Sequence, residues 1–110
     1  MAYKKFKNIK KGDTLYTANV SGMVNKINIE EYPVKENAKT SNEGAVIITI
    51  EDGSTYAVKD DCHVMFGQTS DGRAMCVSTS HKACHSESKK YLATIYAKAM
   101  KKAREEDIKH

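Results

Sequence analysis

Tryptophan is absent from this 110-residue chain, proline occurs once and phenylalanine twice. A core made without tryptophan must rest on Ile, Val, Leu, Met and Ala. No apolar run approaches the ~20 residues that a bilayer crossing needs, so no membrane-spanning helix is expected. The opening MAYKKFKNIKKGD carries lysines with no apolar stretch behind them, which argues against a secretory signal. The three cysteines are an odd number. Without an export signal the expectation is reduced thiols in a cytoplasmic setting. A glycine-rich phosphate loop, a His-Glu-x-x-His pair and a Gly-x-Ser-x-Gly elbow are also missing. The acidic pairs Glu30-Glu31, Glu51-Asp52 and Asp60-Asp61 fall at turns and strand ends, where carboxylates are ordinarily solvated. We therefore expect no catalytic residue, no cofactor and a non-enzymatic role.

What is present begins with a charge layout. The net charge is +4, but residues 1–11 carry +5, residues 12–80 carry −5 and residues 81–110 carry +4. Lys4, Lys5, Lys7, Lys10 and Lys11 at one end, with Lys98, Lys101 and Lys102 at the other, are a candidate surface for nucleic acid. Tyr3, Phe6 and Tyr16 stand near by as candidate base-stacking residues. The scarcity of arginine, Arg73 and Arg104 alone, weighs against that reading, and solvated flanks explain the lysines as well.

The middle of the chain reads as strands reversed by tight turns. AVIITIEDGSTYAVK places β-branched runs on either side of Asp52-Gly53, and CHVMFGQTSDGRAMCVST does the same around Asp71-Gly72. Asp-Gly is a strong signal for a two-residue hairpin turn. With Asp60-Asp61 as a further turn, strands near 45–51, 54–59, 62–69 and 73–79 form a meander. The second turn then sets Phe66 opposite Val77 and Gly67 opposite Cys76. Upstream, GDTLYTANV and MVNKINIEEYPV read as two more strands linked at Ser21-Gly22. The segment KENAKTSNEG, residues 35–44, is polar and without pattern, so it is expected to be an exposed, adaptable loop.

From residue 80 the period changes. Tyr91, Leu92, Ile95, Tyr96, Ala99, Met100 and Ala103 recur at three- and four-residue steps, one face of a helix. Ser80, or alternatively Ser86, is placed to cap it. A helix reaching Asp107 is about 40 Å long, so its far end projects from a small domain. The expected fold is α+β and mainly β. It is a small curled antiparallel sheet or partly open barrel of about five to six strands, with one long C-terminal amphipathic helix. A single domain over 1–110 divides into a basic lead-in (1–11), a meander or barrel (12–79) and the helix (80–107).

The stretch IKKGDTLYTANVSGMVNKINIEEYPV resembles the opening of KOW-type small β-barrels, where a basic lead-in and Gly-Asp introduce the first strand. It is also similar to short phage-encoded accessory proteins with a Gly-Asp opening, a meander and a closing helix. The resemblance rests on Gly12, Asp13 and the apolar alternation that follows, over about the first quarter of the chain. It implies a small barrel, with nucleic-acid binding in the first case and action on a host macromolecule in the second.

CVSTSHKACHSESKK, residues 76–90, is the stretch richest in chemical groups. Cys62, Cys76, His81 and Cys84 make up a nominal zinc set, but zinc needs four donors at one point. Alternation along the strands puts Cys62 and Cys76 on opposite faces in the expected register, which argues against a shared ion. Cys84 and His81 lack the third group of a nucleophilic triad. The stretch is better read as a strand-to-helix junction in which Cys84 is a small buried apolar residue.

These expectations leave a non-enzymatic binding protein, such as a phage-type inhibitor of a host factor in the cytoplasm, docking a protein through Tyr91, Tyr96 and Met100. The same face of the helix serves for self-association. Two alternatives stand beside it: a nucleic-acid module using the basic ends, and an oligomeric small-ligand binder with Tyr56 and His63 lining a pocket.

Overall fold

The computed structural model describes residues 3–21, 26–69 and 71–108, with side chains as far as Lys98 and at Lys101. The chain is α+β and mainly β, as expected, with seven strands in two antiparallel sheets and one C-terminal helix among the described residues. The strands are β1 (Thr14–Asn19), β2 (Ile29–Pro33), β3 (Lys39–Thr40), β4 (Ala45–Thr49), β5 (Thr55–Lys59), β6 (Val64–Gln68) and β7 (Ala74–Ser78). The helix is α1 (His81–Ile108). The expected turn at Gly22 lies outside the described residues.

Strand order is β2-β1-β7-β6 in one sheet and β3-β4-β5 in the other. The four-strand meander expected over 45–79 is thus broken at its centre. β5 completes one sheet, the chain turns at Asp60-Asp61, and β6 begins the edge of the other. The sheets are tied at one corner by a bridge between Val34 and Ile50. Hydrogen bonds from Lys35 N–H to Thr49 O (2.8 Å) and Glu51 N–H to Pro33 O (3.0 Å) flank it. The barrel is left open.

Two layers of core follow from period-two alternation. Leu15, Val77, Met65 and Met75 face the three-stranded sheet, where they meet Val34, Val46, Ile48, Ile50 and Val58. On the opposite face of the four-stranded sheet, Ala18, Val20 and Cys76 meet Cys84, Tyr91 and Leu92 of the helix. β1 and β7 are therefore covered on both faces.

The hairpins are one residue longer than the Asp-Gly dipeptides suggest. Ile50 N–H donates to Ser54 O (3.0 Å) and Thr69 N–H to Arg73 O (2.8 Å), so each loop holds three residues with Gly53 or Gly72 last. Those glycines have φ near +90° and +86°, the left-handed residue of a bulged three-residue hairpin. The extra residue slips the register by one. Phe66 lies opposite Cys76 and Gly67 opposite Met75, not Val77 and Cys76 as expected.

Residues 35–44, expected as a free loop, are a third such hairpin. β3 pairs with β4 in the register Lys39↔Ile47, and Ser41 N–H closes on Ala45 O (2.7 Å). Ala38 N–H also bonds to Ile9 O (3.0 Å). The lead-in is likewise part of the body. Phe6 is fully buried and Ile9 nearly so in the inter-sheet core, and Phe6 N–H donates to Cys62 O (2.8 Å). The charge of the neighbouring lysines masked two apolar residues that close the base of the core.

The helix starts where Ser80 caps it. Ser80 Oγ accepts from Ala83 N–H (3.4 Å), and Cys84 N–H donates to Ser80 O (3.0 Å). Side-chain burial runs through Ala83, Cys84 and Ser88 and fades after Leu92, so the later turns leave the sheet. The molecule is accordingly elongated, 57 × 28 × 25 Å. At the helix–sheet contact, Ser88 Oγ is buried with only the Cys76 and Cys84 thiols for partners.

Two stability outcomes follow. Phe6→Ala should cost about 3–5 kcal/mol in urea unfolding, the range for a large-to-small core change, where a solvated lead-in would show none. Ser88→Ala should leave stability within about 1 kcal/mol of the parent, because the weak bonds its hydroxyl makes to the Cys76 and Cys84 thiols offset the relief of burying it.

Candidate functional site

β5 and β6 are consecutive strands separated by four residues, 60–63. Such neighbours ordinarily pair, yet among the described residues each bonds only to its other neighbour. The seam between them is a cleft of about 600 Å³. Val58, Met65, Met75 and Val77 from the inter-sheet core form its wall, Tyr56 lies beside them, and Ser54, Thr55, Gln68 and Thr69 make a polar rim.

The backbone along this seam can be assigned from the hairpin ends. Ile50 bonds to Ser54, and Thr69 bonds to Arg73. In an antiparallel ladder the bonded pairs alternate, so Tyr56 and Val58 turn their N–H and C=O groups to β4. Met65 and Gly67 likewise turn theirs to β7. The outward groups are those of Thr55, Ala57 and Lys59 on one edge and Val64, Phe66 and Gln68 on the other.

Gly67 sits in the wall of the cleft with an ordinary φ, and a β-carbon built there would meet nothing within 4 Å. Neither backbone conformation nor crowding requires glycine at this strand position. What its missing side chain provides is open space, a common reason for glycine inside a strand.

The cleft continues at both ends. Beyond Tyr56, Thr69 and Met75 lies a hollow of about 490 Å³ with Thr17, Glu30, Tyr32 and Arg73 in its lining. The Tyr32 hydroxyl donates to the Glu30 carboxylate, which holds the phenol proton and pushes its pKa up to about 12. Burial raises Tyr56 as well. At the other end, a hollow of about 440 Å³ shares Ala57, Val58 and Met65 with the cleft and is lined by Glu43, Asp60 and Asp61. The Lys5 ammonium lies 2.9 Å from Asp61 and keeps that carboxyl below its usual range. The groove thus has an apolar centre, one polar end and one charged end where Lys59 stands among Glu43, Asp60 and Asp61.

Of the residues expected to line a pocket, Tyr56 is in the cleft. His63 is not among its lining residues and stacks on Tyr3 at 4.8 Å. The nominal zinc set is not brought together. Cys62 packs with the inter-sheet core, Cys76 and Cys84 with the helix core, and His81 is exposed against the edge of Tyr16 at 5.7 Å. Among the described residues no three His, Cys, Asp or Glu side chains converge as metal ligands. The expected reason was wrong, since the register differs. It is the turn before Val64 that takes Cys62 out of the alternation.

Sequence reasoning did not pair Cys76 with Cys84. Each sulfur lies within 4.0 Å of the other residue's carbonyl oxygen, and both side chains are fully buried. A hydrogen bond from Cys84 lowers the Cys76 pKa; that bond, together with burial, raises Cys84.

The lysine and aromatic candidates scatter. Lys4 pairs with Asp13 (2.8 Å) and Lys5 with Asp61, while Phe6 is buried and unable to stack on a base. Lys7, Lys10 and Lys11 are exposed on the same segment, as are Lys98 and Lys101 on the helix. Tyr91 stacks on Phe66 with ring centres 4.7 Å apart, and Tyr96 stands 53% exposed. The side chains of Met100 and Lys102 lie outside the described residues. No helix among the described residues is long and apolar enough to cross a membrane.

No protein-family model, no curated protein and no solved structure matches this chain. The site is therefore read from its own geometry. The residues missed from sequence are Met65, Gly67, Met75 and the seam-facing backbone. A glycine inside the apolar run VMFGQ was the one local signal for them.

Two measurements check this description. Glu30→Gln should bring the Tyr32 phenol from about 12 back toward the ordinary ~10 in an absorbance titration. A thiol reagent should label Cys62 in the native protein, whereas Cys76 and Cys84 should react only on unfolding.

Proposed function

We propose that this chain is a non-enzymatic binding protein whose partner is another protein, held in the groove between β5 and β6. The observation that carries this reading is the unzipped pair of consecutive strands over an apolar cleft with Gly67 in its wall. Apolar walls with a few polar groups at the rim are what a binding cleft needs. The alternating backbone groups along both edges suit a polypeptide better than a small rigid molecule.

The nucleic-acid reading draws on Lys7, Lys10, Lys11, Lys98 and Lys101, but two of its lysines are engaged with carboxylates and Phe6, one of its three aromatics, is inside the core. The exposed Tyr96 on the projecting helix offers a separate place for self-association.

Affinity capture from cell lysate separates these readings. The expected result is a bound protein that survives nuclease and moderate salt and is lost when Gly67→Leu fills the cleft. Recovery that disappears with nuclease and falls steeply with salt would assign the surface to phosphate contacts instead. A partner that ignores Gly67→Leu and is lost with Tyr96→Glu would move the site to the helix.

A further inference from the structure

The seam has a property that an apolar pocket alone does not have. It presents two rows of backbone donors and acceptors bordering one cleft, and β5 is the more open of the two. Thr55, Ala57 and Lys59, whose backbone groups point outward, are all exposed. On β6 Val64 is half-buried, and Phe66 carries the Tyr91 ring on one face. An unpaired edge is a template for another strand. Most proteins blunt such an edge with charged side chains, a bulge, a proline or a covering segment. Here Lys59 is the one charged residue on β5, and the strand contains no proline.

We propose that a partner segment binds by strand addition: an extended polypeptide pairs its backbone with Thr55, Ala57 and Lys59 of β5 and sets alternate apolar side chains against Val58, Met65 and Met75. This inference rests on the binding reading above and names its chemistry. β5 is five residues long, about 17 Å of extended chain, which sets the paired length at about five residues. Side chains alternate across a strand, so two or three of them enter the cleft. The space above Gly67 admits one that is larger than a methyl group. Where the groove passes Lys59 it meets Glu43, Asp60 and Asp61. Lys5 engages Asp61, whereas Glu43 and Asp60 have no cation within 4.0 Å among the described ion pairs. A basic residue at that end of the segment is favoured.

The test uses the full chain and defined peptides. The probe is a short alternating Val/Thr peptide with a lysine pair at one end. It is compared with the same peptide N-methylated on alternate amides and with a version carrying glutamates in place of the lysines. Binding is read by fluorescence anisotropy at peptide concentrations up to about 1 mM, and amide exchange is followed at Thr55, Ala57 and Lys59. The expected result is binding of the lysine peptide, slowing of exchange by about tenfold at those three amides, and binding roughly tenfold weaker for both altered peptides. Equal binding by the N-methylated peptide would overturn strand addition, since the contact would then be side-chain docking. Protection of both edges in the free protein would overturn it too, because the seam would be closed on itself. Absence of peptide binding alongside capture that is sensitive to Gly67→Leu would overturn strand addition and leave the binding site standing. Absence of both would remove both.

Discussion

Register in this protein is set by glycine corners, and both cores depend on it. Gly44, Gly53 and Gly72 each take a positive φ at the end of a three-residue loop. Each loop thereby contributes one residue more than a two-residue turn. A slip of one residue moves a strand's side chains to the opposite face. With the observed pairing, Met65 and Gly67 share a face with Met75 and Val77, and Val64 and Phe66 share the other with Cys76. One face becomes the wall of the cleft and the other the seat of the helix. The alternative register would mix the two sets, burying neither core cleanly.

The middle sheet then organises the molecule. Its central strands β1 and β7 are covered by the three-stranded sheet on one side and by α1 on the other. The edge strand β6 is only partly covered, and it borders the seam. Closure of the barrel at β5–β6 would use up the backbone groups along both edges. Leaving that pair apart costs hydrogen bonds that water must replace, a modest net loss per bond because solvent competes for each group. The single Val34–Ile50 corner and the buried Phe6 hold the two sheets together on the other sides. An opening confined to one seam is compatible with a stable core because Phe6, Ile9, Leu15, Val34, Val46, Ile48 and Ile50 of that core lie away from the cleft.

The helix plays two parts along its length. Its first turns are structural, held by the Ser80 cap and by Cys84, Tyr91 and Leu92 against the sheet. Beyond Leu92 the burial fades, and a helix without a packing face has little intrinsic stability at this length.

From the sequence alone came the features that local chemistry dictates. β-branched runs marked β4 through β7, Asp-Gly pairs marked their corners, the three-to-four period marked the helix, and Ser80 was one of two candidate caps for its start. What tertiary structure decided was every choice between partners. Nothing in residues 54–69 says that β5 and β6 refuse to pair, because pairing depends on where β4 and β7 already stand. Phe6 and Ile9 read as part of a charged flank until a cavity at the base of the core took them in. Thr40 and its neighbours lacked a pattern because a two-residue strand is too short to show one. Cys76 and Cys84, eight residues apart, met only because a strand and a capped helix fold back on each other. Local dihedral preference and periodicity act within a few residues and are written in the chain; the sharing of an edge, a cavity or a face is a competition among distant segments, and only the assembled fold resolves it.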